Sequence, residues 1–181
     1  TAATDHRNLY YNPEFIMGMP AERKKKVFER IDNHPRMTQQ QKDDYKDYVN
    51  VFYRKKTPKE VVFILMHEVR HITNDHMARG KKLDSKQYNI AADEYINTDL
   101  VVNDLGPGGK KMKFCPMAAQ TKFDKNKEFG FMAYCYCDFS FHGKTAEEIY
   151  AMINKGKVVA GNPLGAHIGD YDPERDILGY V

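Results

Sequence analysis

His67-Glu68-Val69-Arg70-His71 combines residue types and spacing suited to metal-assisted hydrolysis. On a helix, residues i and i+4 share a face, so the two imidazoles can bind one Zn²⁺ through nitrogen at about 2.0–2.1 Å. Glu68 is rotated away from the pair and does not complete the ligand set. It is instead placed to take a proton from an attacking water and pass it to a leaving amine. The cluster follows the apolar run 61–66, where an unpaired polar group would cost about 1–3 kcal/mol. A shared metal accounts for it better than ordinary helix histidines do.

A catalytic zinc takes a third protein ligand, and the chain offers Asp93 and His76. On an unbroken helix, at about 100° per residue, His76 would point roughly opposite to His67, and no glycine between them marks a break. Asp93 has the better geometry. If the His71 helix and the next form an antiparallel hairpin centred on Lys82, His71 comes level with Asp93 and His67 with Asn97. Asn89, Asp93 and Asn97 make a polar stripe at one-turn intervals, beside small Ala91 and Ala92 that would permit close helix approach. Asp93 is therefore the expected ligand and His76 the alternative, with Asn89, Asn97 and Glu94 expected to orient the ligands through hydrogen bonds. Tyr88, Tyr134, Tyr136 and His142 are candidate donors to a developing oxyanion, and the sequence does not select among them.

Capping signals delimit the elements that must hold these residues. Asn12-Pro13 signals a turn, and a first helix starts at Pro20 and stops at His34-Pro35. Thr38 with Gln41, Thr57-Pro58 with Glu60, and Thr145 with Glu148 have capping-box spacing, and Asp84 offers a further cap. The helix after Thr57 is apolar all round before His67 and reads as a buried central helix running to Arg79 and Gly80. The helix after Asp84 runs to about Leu105, ahead of Gly106-Pro107-Gly108-Gly109. Aromatic and sulfur residues at 129–131 and 134–137 resemble strand material. The expected fold is α+β, predominantly helical, in one domain over 1–156, with a small β element and a linker-like tail over 157–181.

Composition narrows the class. The chain has 181 residues, 41% of them hydrophobic, with a formal net charge of +3 and a mean hydropathy of −0.70. One domain with a substantial core is expected, with no membrane-spanning helix. Cys115, Cys135 and Cys137 cannot all pair internally, which fits a reducing, cytoplasmic setting; as a separate metal site they are a weak pattern. Basic runs at 23–26, 54–56 and 110–113 are dispersed, so nucleic-acid binding is not favoured.

The ordered set Asn12-Pro13-Glu14-Phe15, His67-Glu68-x-x-His71-x-x-x-x-His76-x-x-Arg79, Tyr88-Asn89-Ile90-Ala91-Ala92-Asp93-x-x-Ile96-Asn97 and Thr145-Ala146-Glu147-Glu148-Ile149-Tyr150 resembles the metallopeptidase domains predicted beside von Willebrand factor A-like domains in bacterial and phage proteins. The resemblance spans about residues 8–155. It implies a zincin-like core, a zinc-dependent peptidase acting on protein or peptide, and a C-terminal partner domain. Its pattern has positions for both His76 and Asp93. Arg70 stands where an apolar residue is expected, and could pair with Glu68, Asp75 or a substrate carboxylate, or reach solvent. The competing reading is a non-catalytic zinc-binding or interaction module with a protein or nucleic-acid partner.

Overall fold

A computed structural model describes residues 2–5, 7–103 and 135–155. It is mostly helical with one small antiparallel sheet, β1 (Ala2–Thr4) paired to β2 (Leu9–Tyr11) with Ala3 opposite Tyr10. The helices are α1 (Pro13–Met17), α2 (Ala21–Asp32), α3 (Gln39–Phe52), α4 (Pro58–Thr73), α5 (His76–Arg79), α6 (Ser85–Val102) and α7 (Ala146–Asn154). The hairpin, which lies against α4, and α1 were not expected from the sequence. The Asn12-Pro13 signal is the cap of α1: the Asn12 side chain accepts from the Glu14 N–H, and proline takes the first helical position.

The threonine caps behave as their spacing predicts. Thr38, Thr57 and Thr145 each form a reciprocal capping box, and Asp84 accepts from the Gln87 N–H at 2.8 Å. The expected break at 106–109, the strand material at 129–131 and the tail at 157–181 lie outside the described residues. Residues 135–138 are described and form no strand.

The helix expected to be buried all round is amphipathic. Val62, Leu65, Val69 and Ile72 of α4 are exposed along one side, whereas Glu60, Phe63, Ile64 and Glu68 are buried on the other, the side that carries His67 and His71. The buried central helix is α6, with Tyr88, Ala91, Ala92, Glu94, Ile96, Asn97, Thr98, Leu100 and Val101 all buried. It packs against both α4 and α7. Near its N-terminal end, Gly80 touches the Tyr88 ring so closely that a Cβ there would sit 2.3 Å from Cδ1. Phe63, Ile64, Ile96 and Leu100 join Val27, Ile31, Tyr45, Val49 and Phe52 of α2 and α3 in the main core.

Lys56 locks α1 to the end of α3. Its buried ammonium donates to the carbonyls of Phe15 and Arg54, both at 3.0 Å, and of Phe52, and lies 4.2 Å from the Phe15 ring centroid. Burial lowers the Lys56 pKa to about 8 from the ordinary 10.5. Between those values the fold binds fewer protons than the unfolded chain, so this group makes stability rise with pH. Urea denaturation should find Lys56→Met less stable by about 2–4 kcal/mol at neutral pH, because buried carbonyls lose their donor. The deficit should widen as pH rises from 8 towards 10.

Candidate metal centre

Three side-chain atoms from α4 and α6 converge. His71 Nε2 lies 3.1 Å from His67 Nε2 and 3.1 Å from Asp93 Oδ1, and His67 Nε2 lies 3.4 Å from Asp93 Oδ1. Among the described residues these form a group able to hold a metal ion. Ligands at about 2.0–2.1 Å on tetrahedral zinc lie about 3.3–3.4 Å apart along each edge. One edge of the triangle has that length and two are about 0.2 Å shorter, and a tetrahedral ion would have its fourth corner for another ligand. The antiparallel hairpin brings His71 level with Asp93 and His67 level with Asn97, as the residue spacing predicts.

Charge and hydrogen bonding prepare this triangle for a cation. Burial alone would raise the Asp93 pKa and lower that of His67. The contacts with the histidines outweigh that effect and bring Asp93 down to about 2, and His67 is shifted upward by its hydrogen bond to Asp93. Asn97 fixes the His67 tautomer. Its Nδ2 donates to the Tyr136 carbonyl at 2.8 Å, an atom that can only accept, so Oδ1 faces His67 Nδ1 at 2.8 Å. His67 Nδ1 must therefore carry the proton, leaving Nε2 bare towards the triangle.

Glu68 is buried on the same side of α4, and no hydrogen bond to its carboxylate is found among the described residues. Burial pushes its pKa upward, opposed by the charges of His67 and His71. The remaining expected residues divide. Glu94 is buried and accepts from the Asp138 N–H at 2.7 Å, with its pKa raised to about 8 by burial, so it holds the segment 135–138 against α6 and does not bond a ligand. Asn89 is exposed, with no hydrogen bond to the triangle; it stands one turn beyond Asp93, where α6 turns its polar stripe to solvent. Tyr88 donates its hydroxyl to Glu147 at 2.8 Å, His142 is exposed in a turn, and Tyr136 enters the network through its carbonyl. Tyr134 lies outside the described residues. Arg70 pairs with Asp99 of α6 at 3.1 Å, a partner not among those expected.

His76 is where the sequence reading needs correction. The helix does break after His71: α4 ends at Thr73, and Asp75 adopts a left-handed conformation at φ 50° before α5 begins. No glycine is needed, because aspartate tolerates this region better than most residues. The break turns His76 back to His71, with the two Nδ1 atoms 3.3 Å apart. His76 thus lies behind His71 and outside the triangle. Sequence reasoning also missed the role of the segment 135–138, whose contacts with Asn97, Thr98 and Glu94 cross a long stretch of chain and leave no local periodicity. Replacing Asp75 by Val should destabilise the protein by about 1–3 kcal/mol, whereas Asp75→Asn should stay within about 0.5 kcal/mol, measured by chemical unfolding.

No curated protein and no solved structure matches the chain. Among protein families, residues 37–162 match the one described as "Putative metallopeptidase domain". The match begins just before α3 and takes in α4, α6 and α7, hence both helices of the triangle and the Cys135–Asp138 segment behind Asn97. The chain belongs to this metallopeptidase domain family.

Proposed function

We propose that the protein is a zinc-dependent peptidase in which His67 Nε2, His71 Nε2 and Asp93 Oδ1 hold the ion and Glu68 is the general base. The observation that carries the reading is the convergence of three ligand atoms with separations of 3.1, 3.1 and 3.4 Å, within about 0.3 Å of the edges of a tetrahedral zinc site. A bound zinc ion would polarise the scissile carbonyl and acidify the attacking water.

The chain's own residues supply the rest. Asp93 contributes one negative charge, and the two imidazoles are neutral when they donate a lone pair. Asn97 holds His67 in the tautomer this requires. Glu68 adjoins the first ligand and is buried, with no hydrogen bond among the described residues to occupy its carboxylate, so it can receive the water's proton and return it to the leaving nitrogen. Its upward pKa shift makes it a stronger base than a solvated glutamate.

A non-catalytic nucleic-acid module has less support. The basic run 54–56 is largely engaged: Arg54 pairs with Glu60, and Lys56 is buried against backbone carbonyls. In the run 23–26, Arg23 pairs with Glu14 at 3.3 Å. Phosphate binding needs such charges outward and grouped.

Metal analysis with a proteolysis assay on an unstructured protein substrate tests the proposal. Glu68→Gln should keep its zinc but lose at least about a hundredfold in turnover. Full proteolysis by zinc-loaded Glu68→Gln would remove Glu68 from its role, and a zinc-loaded wild type with no hydrolysis would favour a binding module. Asn97→Leu should weaken zinc binding by about 10–100-fold. An unchanged affinity would show that Asn97 does not orient His67.

A further inference from the structure

We propose that His76 is the positioning residue of His71, accepting the His71 Nδ1–H at its own Nδ1 and so holding His71 Nε2 bare towards the metal. This rests on the zinc reading above and assigns His76 a place behind the ligand instead of on the ion.

The argument starts from proton counting. A neutral imidazole has one N–H, so of two Nδ1 atoms 3.3 Å apart, one donates and the other accepts. If His76 donated, His71 would carry its proton on Nε2, the atom 3.1 Å from both His67 Nε2 and Asp93 Oδ1. That arrangement suits the metal-free triangle, with His71 donating to Asp93, but it occupies the lone pair a metal needs. Only the opposite arrangement leaves His71 Nε2 free.

The surroundings of His76 leave His71 as its polar partner. It is buried, and its ring packs edge-on to those of Tyr88 and Tyr95, with centroids 6.2 and 5.8 Å away. The contact with His71 is the one polar bond found for this ring among the described residues; in the proposed state the proton sits on Nε2, which is buried without a partner there, so the bond to His71 must outweigh that cost. The break at Asp75 is what delivers His76. The pair of ligands is thereby supported by two neutral acceptors, the Asn97 amide behind His67 and the His76 imidazole behind His71, which leaves Asp93 as the one anionic member of the triangle.

Zinc affinity by competition with a chelator, and the visible spectrum of the cobalt-loaded protein, test this in the whole chain. His76→Phe should bind zinc about 10–100-fold more weakly, keep a four-coordinate cobalt spectrum, and be partly rescued in His76→Gln, which retains an acceptor. Unchanged affinity in His76→Phe would overturn the inference while leaving the zinc site intact. Loss of the four-coordinate spectrum in His76→Phe but not in Asp93→Ala would make His76 a ligand and overturn it too. A wild type that binds neither metal would reject the zinc reading and this inference together. Should His76→Phe fail to fold, ¹⁵N NMR of zinc-loaded wild type decides. The expected state has protons on His71 Nδ1 and His76 Nε2, and a proton on His76 Nδ1 contradicts it.

Discussion

Two ring nitrogens and a carboxylate oxygen held 3.1–3.4 Å apart must have a proton or a cation among them, and much of the fold is organised around that requirement. Bare lone pairs at this distance repel unless a proton or a metal lies among them. The site answers by favouring cations: Asp93 stays ionised down to about 2, and His67 is shifted upward by the carboxylate beside it. Glu68 takes no part in this arrangement through a hydrogen bond among the described residues, which keeps it available for proton transfer.

The triangle depends on the register between α4 and α6. Asn97 and Asp93 stand one turn apart on α6, opposite His67 and His71 one turn apart on α4, so a shift of either helix would break both pairings at once. Register is held at the start of α6 and along its flank. Gly80 against Tyr88 closes the α5–α6 connection, and Arg79 and Tyr88 both donate to Glu147 of α7. On the flank of α6, the backbone of residues 136–138 receives Asn97 and Thr98 and donates to Glu94. The buried polar groups of Glu94, Asn97 and Thr98 are thereby partnered, which helps a helix so rich in Asn, Asp, Glu and Thr to be the central one.

What the sequence disclosed follows from how local each signal is. Thr38, Thr57, Asp84 and Thr145 mark helix starts through contacts within one turn, and the starts fall where the caps predict. The meeting of His71 with Asp93 is legible from the hairpin spacing, because the break at Asp75 falls beyond His71 and leaves the facing turns of α4 and α6 in place. Hydrophobicity points to α4 as the central helix, whereas the burial of α6 depends on partners from residues 136–138 that no local pattern announces. The break at Asp75 has no glycine to announce it, because aspartate itself takes the left-handed conformation. The break in turn moved His76 from one side of the helix to the back of His71. Asn89 shared the stripe of Asp93 and Asn97 but not their burial, since α4 ends its contact with α6 before reaching it.

The most direct test of the account is a crystal structure of the protein grown with zinc, with diffraction recorded on both sides of the zinc absorption edge. The account predicts an anomalous peak bounded by His67 Nε2, His71 Nε2 and Asp93 Oδ1, at about 2.0–2.2 Å from each, with His76 Nδ1 still on His71 Nδ1. A peak coordinated by His76 in place of Asp93, or zinc bound only elsewhere with the triangle empty, would contradict it.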